Sequence, residues 1–250
     1  MTLYMIGIGL WDEKDITLKG LESVKKCGKV FLESYTSKLG VPVDKLEELY
    51  GRKIILADRE LVEKRADEIL APAKDGDAAF LVIGDVFGAT THTDLFLRAR
   101  EQGIKVSVIN NASILNAIGI VGLELYKFGK KTSIPFHNEG VETPYNVLKQ
   151  NQASGLHTLM LLDIHADKER FMSVQYAINY LLMVEERRKE GVFTKDTLCV
   201  GLARVGSPEP KIVAGKASEL LEVDLGGPLH SLIIPGKLHF VEEDALKEWR

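Results

Sequence analysis

The chain has 250 residues, of which 45% are hydrophobic and 27% charged, a composition typical of soluble globular proteins with a buried core. Its net charge of -4 argues against a nucleic-acid-binding or anionic-membrane-binding protein. No apolar run reaches the roughly 18 residues of a membrane helix, and no basic region precedes the first apolar run. We therefore expect a cytoplasmic protein that binds neither membrane nor nucleic acid.

The first half of the chain alternates short apolar runs with stretches of helical period. Strands are predicted at 4–9, 29–35, 53–57, 78–84 and 104–110, and helices near 17–26, 43–50, 59–72 and 91–102. Thr17 is a predicted N-cap for the first helix, and Thr90 and Thr91 for the fourth. This alternation predicts an α/β domain with a mostly parallel sheet.

The second half has a different pattern. Apolar runs at 132–136, 157–164, 197–206, 211–216 and 230–237 are predicted strands, with a long helix over 172–191. Turns such as Gly206-Ser207-Pro208 join some strands as hairpins, which favours a mixed sheet. We place the boundary near residue 110 and predict two α/β domains, 1–110 and 111–250.

Two glycine turns follow predicted strands. Gly7 and Gly9 match the start of the dinucleotide fingerprint GxGxxG, but Asp stands where its third glycine belongs. The acidic residues Asp12, Glu13 and Asp15 would repel a diphosphate there. Because Glu33 ends the second strand, where a ribose-binding acid belongs, an NAD(P)-dependent oxidoreductase stays open as an alternative.

The second glycine turn is Gly84-Asp85. An acid at the carboxyl end of a parallel strand lies where such sheets bind ligands. Together the two turns predict one shared site for a ligand without a diphosphate. The histidines, including His92, have no metal-ligand spacing, so no metal is expected, and His92 is interpreted as a surface or capping residue.

At these residues the chain resembles a known family. The segments GIGLWDEKDITLKG, IGDVFGATTH, NNASI, HTLMLLDI, LARVGS and PGKLH, with YTS at 35–37 and LYKFGK at 125–130, are similar to those of diphthine synthases. These belong to the tetrapyrrole-methylase-like class of S-adenosylmethionine-dependent methyltransferases. The similarity runs from the first strand to about His239.

This resemblance implies a fold and a reaction. It implies two α/β domains of the tetrapyrrole methylase type, a cofactor site in the interdomain cleft, and a homodimer. The cofactor would be S-adenosyl-L-methionine, leaving S-adenosyl-L-homocysteine as product. The partner would be translation elongation factor 2, whose modified histidine carries a 3-amino-3-carboxypropyl group. N-methylation of its amine is a step in diphthamide biosynthesis.

The resemblance also implies a set of cofactor-binding residues. In the first domain and the hinge they are Leu10, Asp85, Gly88, Ser113 and Ile114; in the second domain they are Leu162, Val205 and His230.

The family commonly has Pro after Gly-Asp, whereas this chain has Val86, Phe87 and Gly88, which predicts a looser cofactor loop. No catalytic base is assigned, because an activated methyl donor requires mainly positioning and desolvation of the reactants. Two further alternatives stay open: a methyltransferase of the same superfamily acting on a tetrapyrrole or corrin, and a non-catalytic protein that senses S-adenosylmethionine.

Overall fold

The computed structural model describes residues 1–250 except for the side chain of Asp167. The chain divides into two compact units, one made of residues 1–117 and 166–168, the other of residues 118–165 and 169–250. Both cysteines, Cys27 and Cys199, are free and buried. No helix in the described part of the chain combines the length and apolar character that a membrane crossing requires.

The first unit is a parallel five-stranded sheet with helices. The strands are β1 (Thr2–Gly7), β2 (Lys29–Glu33), β3 (Ile54–Ala57), β4 (Asp77–Val82) and β5 (Lys105–Ile109), in the order β3-β2-β4-β1-β5. The helices are α1 (Leu18–Lys26), α2 (Val43–Tyr50), α3 (Arg59–Glu63), α4 (Asp67–Asp75), α5 (Thr93–Glu101) and α6 (Ile114–Ala117). All five predicted strands and the parallel arrangement are confirmed.

Local signals explain several of these elements. Thr17 caps α1 as predicted, since its Oγ1 accepts a hydrogen bond of 3.0 Å from the backbone N–H of Gly20. The single helix predicted over 59–72 is wrong, because two helices occupy this stretch. α3 ends at Glu63, and beyond it the backbone N–H of Arg65 donates to Glu60 O at 3.1 Å, five residues back instead of the four of a regular α-helix. The spacing of the apolar residues does not reveal this break.

The second unit contains a mixed sheet. Its strands are β6 (Thr132–Ile134), β7 (Thr158–Leu162), β10 (Leu198–Ala203), β11 (Lys211–Lys216) and β12 (His230–Ile234), in the order β11-β10-β12-β7-β6. Strands β8 (Ile164–His165) and β9 (Arg170–Phe171) form a separate short hairpin. The helices are α7 (Thr143–Ala153), α8 (Val174–Arg188), α9 (Ala217–Leu220) and α10 (Phe240–Lys247).

Only β6 and β7 are parallel in this sheet, while β12 is antiparallel to both β7 and β10. The hairpin predicted at Gly206-Ser207-Pro208 joins β10 to β11, which pair antiparallel. The mixed sheet is therefore confirmed. Its core packs the apolar face of α8, including Ile178 and Leu181, against residues of β7 and β12.

Candidate functional site

The two glycine turns meet at the carboxyl edge of the first sheet. The backbone N–H of Gly84 donates to Gly9 O at 2.6 Å, and the N–H of Gly9 donates to Gly84 O at 3.3 Å. Both glycines have positive φ, 82° and 88°, a conformation that strains any residue with a Cβ atom. The prediction that these turns are neighbours is confirmed, because β1 and β4 are adjacent parallel strands.

Asp85 is the acidic group of this edge. Its Oδ2 accepts hydrogen bonds from Asn110 Nδ2 and from the backbone N–H of Asn111, both at 3.0 Å, and its Oδ1 accepts one from the N–H of Phe87 at 3.1 Å. Partial burial by itself would raise the pKa of Asp85, but these donated hydrogen bonds outweigh it and hold the pKa below its usual value. Asp85 is therefore ionised at neutral pH.

Asn111 connects three loops, and sequence reasoning missed this role. Its backbone N–H binds Asp85, while its side-chain Nδ2 donates to Gly7 O at 3.0 Å and to Asp15 O at 2.9 Å. The signal available was the Asn pair directly after the last parallel strand, since β5 ends beside β1. Asn111 thus fixes the glycine turns relative to the carboxylate.

The Asp15 carboxylate accepts the hydrogen bonds of the backbone N–H groups that a diphosphate would need as donors. Its Oδ2 accepts hydrogen bonds from the backbone N–H of Leu10 at 3.1 Å and of Trp11 at 2.7 Å. In dinucleotide-binding folds such N–H groups after the first strand face the diphosphate. This turn therefore offers a diphosphate a carboxylate instead of free donors.

Glu33 is equally unsuited to bind a ribose. Its side chain is fully buried, and both carboxylate oxygens accept local hydrogen bonds from Tyr35 N at 2.7 Å, Thr36 N at 2.6 Å and Thr36 Oγ1 at 2.7 Å. The acid closes the turn after β2. The Gly7-x-Gly9 turn and Glu33 were the two sequence features consistent with a dinucleotide, and the structure supports neither as part of a dinucleotide site.

The remaining predicted residues of the first unit lie around Asp85. Ser113 is buried, and its Oγ accepts a hydrogen bond of 3.2 Å from Leu115 N at the start of α6, which begins with Ile114. A Cβ atom at Gly88 would lie 2.8 Å from both Cβ and Oγ of Ser113. Gly88 thus allows the loop after β4 to approach Ser113 closely.

His92 stands at the N-cap position of α5, but its side chain makes no capping hydrogen bond and is buried, so the interpretation as a surface residue is wrong. It is only 1% exposed, and its ring packs against Phe80 with centroids 5.2 Å apart. Burial lowers its pKa, and Nδ1 lies 3.3 Å from Val86 O, to which it donates. Thr90 Oγ1 also donates to Val86 O, at 2.9 Å, so the predicted Thr cap of α5 is wrong. These side chains hold the Asp85 loop.

The predicted residues of the second unit gather at one edge of its sheet. Leu162 ends β7, His230 begins β12, and the chain reaches Val205 just beyond the end of β10. Ala203 pairs with His230, and Leu161 pairs with Ser231, so these three strand ends are neighbours. Leu162 and Val205 supply apolar side chains at that edge.

Both ring nitrogens of His230 have partners within its own unit. Nε2 lies 3.0 Å from Gly226 O and 3.2 Å from Gly227 O, and Nδ1 accepts from the backbone N–H of Val174 at 3.4 Å. Burial lowers the pKa of His230, which favours the neutral ring with the proton on Nε2. The side chain holds the loop before β12, so its ring faces and backbone are what it can offer a ligand.

Taken unit by unit, the chemistry of these groups can be compared with the S-adenosyl-L-methionine that the family resemblance implies. Asp85 offers a carboxylate with spare acceptor capacity on Oδ1, suited to a cationic or hydroxyl-bearing ligand. At the edge of the second sheet Val205 offers a half-buried apolar side chain, whereas Leu162 is 6% exposed and packs in the core of its unit. Gly88 packs against Ser113 and leaves no room there for a further side-chain atom. Among the described side chains, no group of His, Cys, Asp and Glu is arranged to hold a metal ion.

Comparisons with a family model and with individual relatives place the chain in one family of methylases. Residues 2–221 match the family of tetrapyrrole (corrin/porphyrin) methylases. The chain is 48% identical to the diphthine methyl ester synthase of Dictyostelium discoideum, over 100% of this chain and 98% of the relative. It is 50% identical to the diphthine synthase of Methanocaldococcus jannaschii, over 98% of this chain and 97% of the relative.

Solved structures show the same fold. A crystal structure of a diphthine synthase superimposes with a TM-score of 0.91 at 36% identity, over 100% of this chain and 96% of the other. Both units, with their parallel and mixed sheets, are therefore those of this fold.

Proposed function

Since the chain belongs to the tetrapyrrole methylase family, it is a methyltransferase, and we propose that it acts in diphthamide biosynthesis. The acceptor is the amino group of 3-amino-3-carboxypropyl-histidine on translation elongation factor 2. The methyl donor is S-adenosyl-L-methionine, and the product is S-adenosyl-L-homocysteine. The observation that carries this proposal is the identity of about 50% over the whole chain to relatives named for that step.

The proposed cofactor residues are those of the two sheet edges. Leu10, Asp85, Gly88, Ser113 and Ile114 would hold the cofactor from the first unit; Leu162, Val205 and His230 would hold it from the second. When bound, S-adenosyl-L-methionine supplies an activated methyl group on a sulfonium sulfur. The task of the protein residues is to bind, orient and exclude water.

The acceptor amine must be neutral to react, although a free amine is mostly protonated at neutral pH. Burial disfavours the charged form and lowers the pKa of an amine. Asp85 is a weak base because its hydrogen bonds hold its pKa low. We therefore assign Asp85 to cofactor binding and let the amine lose its proton to water.

The names of the relatives favour a second candidate reaction. One relative is named for diphthine itself and another for its methyl ester, in which a carboxylate is methylated as well. The chain is nearly equally similar to both, at 50% and 48% identity. O-methylation of the carboxylate in the same group is therefore the alternative outcome.

One assay separates these reactions. Purified protein is incubated with methyl-labelled S-adenosylmethionine and elongation factor 2 that bears the 3-amino-3-carboxypropyl group, and the factor is then split for mild alkaline treatment. Label that resists alkali is on nitrogen, whereas label released as methanol was an ester. Cofactor binding without any transfer would refute the proposal in favour of a sensor, and transfer only to a corrin precursor would place the chain with other members of its family.

The proposed substrate also suggests where the enzyme works. Elongation factor 2 works in the cytoplasm, so the enzyme is expected there. We also expect a homodimer, which sedimentation at micromolar concentration would test.

A further inference from the structure

A cluster of aromatic and basic side chains lies at one edge of the second sheet. Ile134 of β6 pairs with Leu162 of β7, so Phe136 and Asp163 follow at the same edge. The chain then enters the β8–β9 hairpin, in which His165 pairs with Arg170. We call Phe136, His137, His165 and Arg170 the arginine cluster.

Arg170 is the prominent group of this cluster. Its guanidinium carbon lies 3.8 Å from the centroid of the Phe136 ring, and the residue is exposed. Phe136 is 9% exposed, so the ring is a fixed support. Among the side chains that the structure describes, none forms an ion pair or hydrogen bond with this guanidinium. The stacking holds the group in place, and no described side chain occupies its N–H edge.

The carboxylate of Asp163 lies beside the arginine cluster, and hydrogen bonds from neighbouring backbone N–H groups stabilise its charge. Its Oδ2 accepts from the backbone N–H of Phe136 at 2.8 Å, and its Oδ1 from that of Ile164 at 2.9 Å. His165 Nε2 lies 3.6 Å from the same carboxylate, and the His165 ring is 5.2 Å from that of Phe136. Asp163 therefore shapes the loop, and Arg170 is left as a cation without a described counter-ion.

The position of the cluster connects it to the proposed cofactor residues. Asp163 directly follows Leu162, and His230 begins β12, the strand paired with β7. The Phe136 ring that supports Arg170 belongs to a residue whose backbone N–H is bonded to Asp163, so a group held by Arg170 would be bound at the same edge of the second sheet as Leu162.

We propose that Arg170, stacked on Phe136, binds the carboxylate of the 3-amino-3-carboxypropyl group of the substrate, an inference that rests on the proposed function. A guanidinium binds a carboxylate through two parallel hydrogen bonds, which fix its orientation as well as its position. The carboxylate is bonded to the same carbon as the amine, so fixing one places the other. Occupied carboxylate oxygens also leave the amine as the better nucleophile.

The test compares two substitutions with a matched control. Arg170→Gln removes the charge, and we expect kcat/KM for the modified factor to fall about 30-fold, mainly through KM, as for loss of a charged hydrogen bond. Arg170→Lys keeps the charge but not the paired geometry, and an intermediate loss is expected. Arg250→Gln makes the same change at another exposed arginine of this unit and should have no effect. Affinity for S-adenosyl-L-homocysteine should stay unchanged in all three variants.

Binding to factor that lacks the modification identifies the source of the carboxylate. We expect Arg170→Gln to weaken binding of the modified factor only. Equal weakening for both forms would show that Arg170 meets an acidic side chain on the factor surface and would overturn the proposal. Normal kinetics of Arg170→Gln would also overturn it. Absence of methyl transfer by the wild-type enzyme is a different result, which refutes the proposed function itself.

Discussion

Asp85 accepts three hydrogen bonds from its own unit, and this determines what its substitution will do. Asn at this position keeps one acceptor oxygen and turns an amide group toward a backbone N–H. We expect Asp85→Asn to weaken S-adenosyl-L-homocysteine binding about 10- to 100-fold, as for loss of a charged hydrogen-bond partner. Calorimetric titration measures this. Asp94→Asn, an exposed residue of the same unit, serves as the control and should bind normally.

The pH dependence of the rate tests whether Asp85 acts only in binding. Because its pKa lies below the usual value, Asp85 stays ionised throughout the neutral range, and the rate should rise with pH as the acceptor amine loses its proton. We expect Asp85→Asn to retain this rise at saturating cofactor. Disappearance of the rise in the variant would identify Asp85 as the base instead.

The close packing of Gly88 against Ser113 leads to a prediction about cofactor affinity. Ala at this position would bring a Cβ atom within 2.8 Å of Ser113, so Ser113 or the loop must move. We expect Gly88→Ala to weaken cofactor binding about 10-fold, within the usual cost of overpacking. Gly76→Ala is the matched control, because its added Cβ would approach no atom closer than 3.8 Å. Equal affinities of the two variants would argue against a cofactor beside Gly88.

At the scale of elements, a buried ionic cluster attaches α10 to the rest of the second unit. Glu242 is fully buried and accepts hydrogen bonds from His157 Nε2 at 2.9 Å, from the backbone N–H groups of Glu124 at 2.9 Å and His239 at 2.8 Å, and from Lys127. Burial alone would raise the pKa of Glu242, but these donors outweigh it and lower the pKa to about 2.

Glu242→Gln should therefore destabilise the second unit in a pH-dependent way. A carboxyl with a lowered pKa stabilises the fold fully above its unfolded pKa and loses this contribution as pH falls toward 2. We expect a loss of about 3 kcal/mol at pH 7, because the partners are left without their counter-ion. The difference from wild type should shrink between about pH 5 and pH 2.

Trp249 reports on this region, since its Nε1 donates to Val121 O at 3.2 Å. Denaturation followed by its fluorescence, with Trp11 replaced by Phe in both proteins, gives the free energy of unfolding of the second unit. Glu243→Gln, an exposed neighbour on α10, should cost little at any pH. A Glu242→Gln deficit that stays constant with pH would contradict the assignment of a lowered pKa.

Helices α7 and α10 show why part of the fold was missed from the sequence. In α10, Phe240 and Val241 are 67% and 54% exposed while Glu242 is buried, the reverse of the usual amphipathic pattern. In α7 the buried side chains include Asn151, which binds the backbone of Lys130. In both helices a polar side chain is buried because its hydrogen-bond partner lies far away in the chain. The local pattern of apolar residues contains no information about such partners.

The strands and the Thr17 cap were predictable because they depend on neighbours in the sequence. The candidate site divides in the same way. The glycine turns and Asp85 follow from strand ends, whereas Asn111 and buried His92 act through contacts that only the folded unit creates. Residues taken from the family resemblance stay predictions until a ligand is measured.

At the scale of the whole molecule, ligand choice is the decisive property. The backbone N–H groups of Leu10 and Trp11 in the first turn are bound to Asp15, and Glu33, the last residue of β2, is fully buried and bonded to the turn that follows it. This arrangement disfavours a dinucleotide and agrees with the proposed S-adenosyl-L-methionine, which has no diphosphate. A ligand at 100 times its dissociation constant stabilises the native state by about 2.7 kcal/mol, a rise in Tm of roughly 5 °C for a chain of this size.

Calorimetric titration of the same protein with S-adenosyl-L-homocysteine and with NAD, each in separate experiments, tests this central claim most directly. We predict saturable binding of S-adenosyl-L-homocysteine, with no heat of binding from NAD. Saturable binding of NAD without binding of S-adenosyl-L-homocysteine would contradict the account.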